Sequence, residues 1–148
     1  MKKLVEFNNT FANKLVSIKD FPLLLIRLVL AYGFFGPAIK KLENTQEIFE
    51  WFEGIGIPFP VINAYLTTYT EFFGFIFLAV GFATRLISIP LIIIMLVAIK
   101  TVHLNNGFVA ANNGFEIPLY YAIMLFVLFV YGPGKYSLDF YLSKKLSY

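Results

Sequence analysis

Four apolar stretches, at residues 21–39, 61–83, 86–104 and 117–132, divide the chain and leave few folds open to it. About twenty residues at 1.5 Å rise are enough to cross the hydrocarbon core of a bilayer as a helix. Inside that core each backbone N–H and C=O must find its partner within the protein, which leaves helices or a closed barrel. Runs this long and this continuously apolar predict helices. The expected fold is all-α, a four-transmembrane-helix bundle. The last stretch is short for a span, so it begins at Phe115 or sits where the bilayer thins. Composition agrees: only 14% of residues are charged, against about 25% in soluble domains.

The connecting segments carry their own signals. Met1-Lys2-Lys3 leads into a mixed stretch with no apolar h-region, which argues against a signal peptide. Over residues 1–20, Leu4, Phe7, Phe11, Leu15 and Ile18 recur at helical spacing among Lys3, Lys14 and Lys19. That predicts an N-terminal interfacial amphipathic helix. Between spans one and two, residues 42–60 predict a short outer-side helix. Asn44 and Glu47 would form its capping box, and Ile48, Trp51, Phe52 and Ile55 its apolar face. Gly54-Ile55-Gly56-Ile57-Pro58-Phe59-Pro60 would end it. Pro37 is expected to kink the outer end of span one. The chain thus divides into the interfacial helix at 1–20, a membrane domain at 21–140 and a basic tail at 141–148.

Four spans return both termini to one side. Lys2, Lys3, Lys14, Lys19, Arg85, Lys135, Lys144 and Lys145 share it, while Lys40, Lys41, Glu43, Glu47, Glu50, Glu53 and Glu116 fall on the other. The lysine and arginine imbalance predicts an N-in, C-in topology. The pI near 9.1 reflects these span ends and not a nucleic-acid surface.

Charges within the spans are the candidate site. Ala64, Thr67, Glu71, Gly74, Leu78, Gly81 and Arg85 recur every three or four residues, a polar-and-small stripe suited to a bundle interior. Counting from the inner ends puts Glu71 roughly 20 Å and Lys100 roughly 21 Å up their helices. His103 stands one turn above Lys100, and Lys40 ends span one near that level. An isolated charge at mid-bilayer costs roughly 2.5–3.5 kcal/mol on the mild insertion scale, so Glu71 needs a partner. Lys100 is the partner expected. Glu71, Lys100 and His103 form the candidate catalytic or proton-relay set, and Lys40, Lys100 and His103 the candidate cofactor-binding set. A purely structural Glu–Lys pair is the alternative. Arg27 reads as an anchor that snorkels or pairs with Asp139 or Asp20. With one histidine and no cysteine, no protein-bound metal, haem or Fe–S cluster is expected. Asn105-Asn106-Gly107-Phe108 and its repeat Asn112-Asn113-Gly114-Phe115 predict two tight turns, either a compact loop or a lid.

In order and spacing the sequence resembles the DoxX family of small four-helix membrane proteins. The resemblance rests on Arg27-Leu28, Gly36 with Lys40-Lys41-Leu42, Gly56-Ile57-Pro58 and Glu71-Phe72-Phe73-Gly74. It continues through Gly81-Phe82-Ala83-Thr84-Arg85, Met95-Leu96-Val97-Ala98, His103 with Gly107-Phe108, and Asn113-Gly114-Phe115-Glu116. Gly132-Pro133-Gly134 and Ser137-Leu138-Asp139 complete it, over residues 21–140. Phe73 stands where the family often has a second glycine. Residues 102–121, with Trp51-Phe52 and Gly56-Ile57-Pro58, are similar more narrowly to DoxX-like proteins encoded beside copper-binding peptide maturation systems, the HvfX type.

The resemblance implies a place in a bacterial inner membrane, and three readings of function stand beside it. The first is a subunit of a quinone-linked or other redox system, with a bound quinone supplying the redox chemistry. The second is a non-catalytic membrane partner or scaffold for a redox or peptide-maturation protein. The third is a small-molecule binder or transporter, although no inverted repeat is visible. Partners in each case are the lipid bilayer, a redox or maturation protein and, by self-association, further copies of the chain.

Overall fold

The computed structural model describes Met1, Leu4, Phe7, Phe11, Leu15, Val16 and residues 18–146. The apolar runs become helices: α1 (Asp20–Glu43), α2 (Thr45–Gly54), α3 (Pro60–Val80), α4 (Thr84–Ala98), α5 (Glu116–Tyr131) and α6 (Leu138–Leu146). No strand occurs among the described residues. The amphipathic helix expected over residues 1–20 lies largely outside them. Of its apolar face Leu4, Phe7, Phe11 and Leu15 are exposed, and Phe7 stacks on Phe11 at 6.4 Å.

Local chemistry sets the ends. Asp20 in the first turn of α1 and Lys40 and Lys41 in its last complement the helix dipole. The helix continues through Pro37 to Glu43, four residues past the expected end. The capping box expected at Asn44 is not formed. Asn44 closes α1 instead, its backbone N–H and side-chain amide both donating to the Lys40 carbonyl at 3.1 and 3.3 Å. The glycine-rich turn does end α2. Ile57 N–H bonds the Phe52 carbonyl and Gly56 N–H that of Glu53, with Gly56 at φ +77°, a Schellman closure. On α2, Phe52 is buried and Trp51 exposed. Phe49 takes the inward place expected of Trp51 and meets Tyr65 of α3 at 5.2 Å.

α1 packs chiefly on α3, and α4 on α5; α3–α4 and α1–α5 contacts close the ring, and α2 lies on α3. The core joins Leu30, Ala31 and Phe34 of α1 to Leu78 of α3, Leu91 and Met95 of α4, and Leu125 and Leu128 of α5. Small residues set its closest approach, as anticipated for Gly74: a Cβ there would fall 2.9 Å from Leu91 Cδ2. Three helical stretches, Asp20–Glu43, Pro60–Val80 and Thr84–Asn106, are long and apolar enough to cross a membrane. The 16-residue α5 is apolar but short, about 24 Å at 1.5 Å per residue. Large apolar side chains such as Leu28, Leu66, Ile93 and Phe126 lie exposed around the bundle. The chain is a four-helix membrane protein.

Candidate functional site

Glu71 is buried at 3% exposure, and its partner comes from α1. Lys41 Nζ lies 2.7 Å from both carboxylate oxygens. The sequence expectation of Lys100 as partner is corrected here, and helix phase explains why. On α1 the buried positions are Arg27, Leu30, Ala31, Phe34 and Ala38; one further step of three reaches Lys41. Lys40 lies off that face and is exposed. On α4 the buried positions are Thr84, Ser88, Leu91 and Met95, and steps of three or four lead on to Ala98 and Val102, not to Lys100. Depth along a helix sets the level of a side chain, and rotation around the axis sets which neighbour it faces. Lys100 is exposed, within a wide π turn that runs Ile99–His103.

On α3 the buried face is Ala64, Thr68, Glu71, Gly74 and Leu78. Thr68 therefore replaces Thr67 in the expected stripe, and Arg85 lies exposed beyond it. Thr68 is 1% exposed, and its hydroxyl has no hydrogen-bond partner among the described residues. It precedes Glu71 by one helical step, on the same face. The ammonium of Lys41 has three donors, of which the Glu71 oxygens take two. Between α1 and α3 the structure thus holds a buried carboxylate and a lysine with one spare N–H, and one helical step along the same face of α3 a buried hydroxyl with no partner among the described residues. Sequence reasoning missed Lys41 and Thr68, although the three–four phase of the α1 and α3 apolar positions points to both.

His103 belongs to a different assembly. Its Nδ1 lies 2.7 Å from the Asn113 carbonyl oxygen, which can only accept, so Nδ1 carries the proton. Asn106 Nδ2 donates to the same carbonyl and to that of Val102, at 3.2 Å each. The two Asn-Asn-Gly-Phe copies fold onto one another: Phe115 N–H bonds the Gly107 carbonyl, Glu116 N–H that of Phe108, and Gly114 N–H that of Val109. Asn113 takes the left-handed conformation, φ +60°. Glu116 Oε2 accepts the Ala110 N–H at 2.9 Å and its Oε1 the Tyr120 hydroxyl at 3.2 Å. Phe108 packs edge-on to Phe115 at 5.5 Å. The stretch is a compact, internally bonded loop. Of the residues expected to cluster, the structure joins neither Lys40, Lys100 nor His103 to Glu71 by a hydrogen bond or ion pair among the described residues.

At the opposite end Arg27 is fully buried. It donates to the carbonyls of Leu78, at 3.4 Å, and Tyr136, a structural anchor whose direct acceptors are backbone carbonyls, with the expected Asp139 acting on it as a nearby charge and not as a close ion pair. The expected carboxylates make their hydrogen bonds elsewhere. Asp139 accepts the N–H groups of Ala83 and Thr84 at 2.7 and 3.1 Å, capping α4 from α6. Asp20 accepts the Lys135 N–H at 3.2 Å and lies 3.7 Å from its ammonium.

Comparison with known proteins agrees with this architecture. The DoxX family model matches residues 22–104. A Haemophilus influenzae relative described as "Uncharacterized protein" is 32% identical over 130 residues, covering 82% of this chain and 83% of its own. No solved structure matches. A family match over more than half the chain, on the helices that carry Arg27, Lys41 and Glu71, makes this protein a member of the DoxX family.

Proposed function

We infer that the protein is a subunit of a quinone-linked redox system in a bacterial inner membrane, with both termini inside, and that Lys41, Glu71 and Thr68 seat the quinone headgroup. One observation carries this reading: a part-buried Lys41 paired with the buried Glu71, one helical step along α3 from a buried Thr68 hydroxyl that lacks a partner among the described residues. A buried polar group without a partner costs roughly 1–3 kcal/mol, so a ligand oxygen that satisfied it would bind with that gain. A quinone presents carbonyl acceptors, which suit the spare Lys41 N–H and the Thr68 O–H. When bound, a quinone supplies two-electron, two-proton chemistry. Glu71 would hold a proton near the headgroup, with Lys41 stabilising its charged form. Extraction of the detergent-purified protein and chromatography of its lipids tests this. Quinone should co-purify with the native chain and be depleted in Thr68→Val, which keeps the side chain's shape. Equal quinone content in both would sink the assignment.

A second reading is favoured by α2. Glu43, Glu47, Glu50 and Glu53 are all exposed near the exposed Trp51, a surface suited to a basic or metal-handling partner protein. On this reading the chain is a non-catalytic platform, in keeping with the narrower likeness to proteins of copper-binding peptide maturation. Charge reversal across α2 would abolish complex formation while leaving quinone content unchanged.

A further inference from the structure

We propose that the end of the bundle carrying the C-terminal helix binds the phosphate headgroup of an anionic phospholipid. A shallow, open depression there is built from the start of α1, the start of α4, the Gly132-Pro133-Gly134 turn and α6. Lys19, Arg85 and Lys135 line it, with Asp20 and Asp139. Charge counting alone understates its pull on an anion. Both Asp139 oxygens accept the amides that open α4, and Asp20 is bonded to Lys135. Lys19 and Arg85 are exposed and have no acidic partner among the described residues.

Arg85 is also held in place. Its Nη2 donates to the Val130 carbonyl at 3.2 Å, leaving its other donors for a ligand. Gly132 makes room for this: a Cβ there would fall 3.2 Å from Arg85 Nε, and its φ of +80° suits glycine. A fixed guanidinium presents a planar fork of donors matched to phosphate oxygens. Leu86 and Tyr131, also in the lining and 71% and 72% exposed, offer apolar surface for the acyl chains. Exposed apolar side chains beside exposed cations together favour a lipid over a soluble phosphate. On the proposed topology, with both termini inside, this end faces the cytoplasm, where basic pockets between spans bind anionic headgroups.

Native mass spectrometry of the detergent-purified full chain, given equimolar phosphatidylglycerol and phosphatidylcholine, tests the proposal. Preferential retention of phosphatidylglycerol is expected. Arg85→Gln and Lys19→Gln should each weaken it about fivefold, while Lys144→Gln with Lys145→Gln, outside the pocket, should change it less than about twofold. Arg85→Lys, which keeps the charge without the fork, should fall between. Equal retention of the two lipids, an unaltered preference in Arg85→Gln, or an equal loss in the Lys144 and Lys145 variant would overturn it. So would displacement of the lipid by millimolar inorganic phosphate, which would assign the pocket to a soluble anion. Arg85 and Lys19 are exposed, so their variants should melt like the native chain, and a large drop in melting temperature would also count against the proposal.

Discussion

Lys41 and Glu71 stand 30 positions apart in the chain and 2.7 Å apart in the fold, tying the C-terminal end of α1 to the middle of α3. The lysine side chain is 16% exposed and the glutamate 4%, so water can replace neither partner. Removing one side leaves the other's charge buried and uncompensated, at a cost of about 3–5 kcal/mol. Lys41→Ala should therefore lower the thermal stability of the detergent-solubilised protein sharply. Lys41→Met combined with Glu71→Met should recover most of the loss, because an apolar pair of similar volume needs no desolvation. Lys100→Ala should stay within about 0.5 kcal/mol of the native chain, as an exposed side chain does. A loss in Lys100→Ala equal to that in Lys41→Ala would return Glu71 to the partner that depth counting suggests.

Gly81 and Gly36 make a contrasting pair. At Gly81 φ is +71°, and an added Cβ would collide with Arg27 Nη1 and lie 2.6 Å from Ser137 Cβ. Backbone strain of this kind costs about 1–3 kcal/mol before any steric term, and relieving the collision would move a buried arginine from its carbonyl acceptors. Gly81→Ala should reduce the yield of folded protein severely. At Gly36 nothing lies within 4 Å of the added carbon, and alanine is the better helix former by roughly 1 kcal/mol. Gly36→Ala should match or exceed the native melting temperature.

These cases show what the sequence makes legible. The four spans, the short outer helix and the glycine contact at Gly74 follow from apolar run length, turn chemistry and helical spacing, which are local quantities. Asn44 fits a capping box and a closing Asn equally well by local pattern; α1 runs on past Ile39 and takes the residue for its own end. The Glu71 partner is a matter of phase over a whole helix. Arg27, Ala31, Phe34, Ala38 and Lys41 keep one rotation, and only that rotation separates Lys41 from Lys40. The π turn at Ile99–His103 carries no sequence mark, and it places Lys100 and His103 at the loop. The Asp139 cap spans 56 positions, a pairing that no local pattern signals.

That cap gives a third prediction. Asp139 supplies from α6 what an N-cap side chain usually supplies from within, accepting the Ala83 and Thr84 amides. Ala83 cannot do so itself, and it holds φ +46° to turn the chain. Asp139→Ala should cost about 1–2 kcal/mol, the range for loss of a helix cap. Asp139→Asn should cost less, since one oxygen still accepts. Hydrogen exchange locates the effect: the amides of Ala83 and Thr84 should exchange faster in Asp139→Ala, while those of α5 keep their native rates. Unchanged exchange at Thr84 would mean that the cap is formed otherwise.

The loop between α4 and α5 should loosen without unfolding the bundle. His103 and Asn106 converge on one carbonyl, that of Asn113, and Glu116 holds the Ala110 amide. Each such bond contributes about 0.5–1.5 kcal/mol, and all lie outside the apolar core. His103→Ala should speed proteolysis and amide exchange across residues 107–115, with the global melting transition shifted by no more than that amount. Asn105→Ala, at an exposed position, should leave both unchanged. If His103 instead relays protons for a redox reaction, His103→Ala would abolish turnover in the reconstituted system while the loop keeps its native protection. The two outcomes differ in which observable moves, so exchange and turnover measured on the same variant separate a structural pin from a relay.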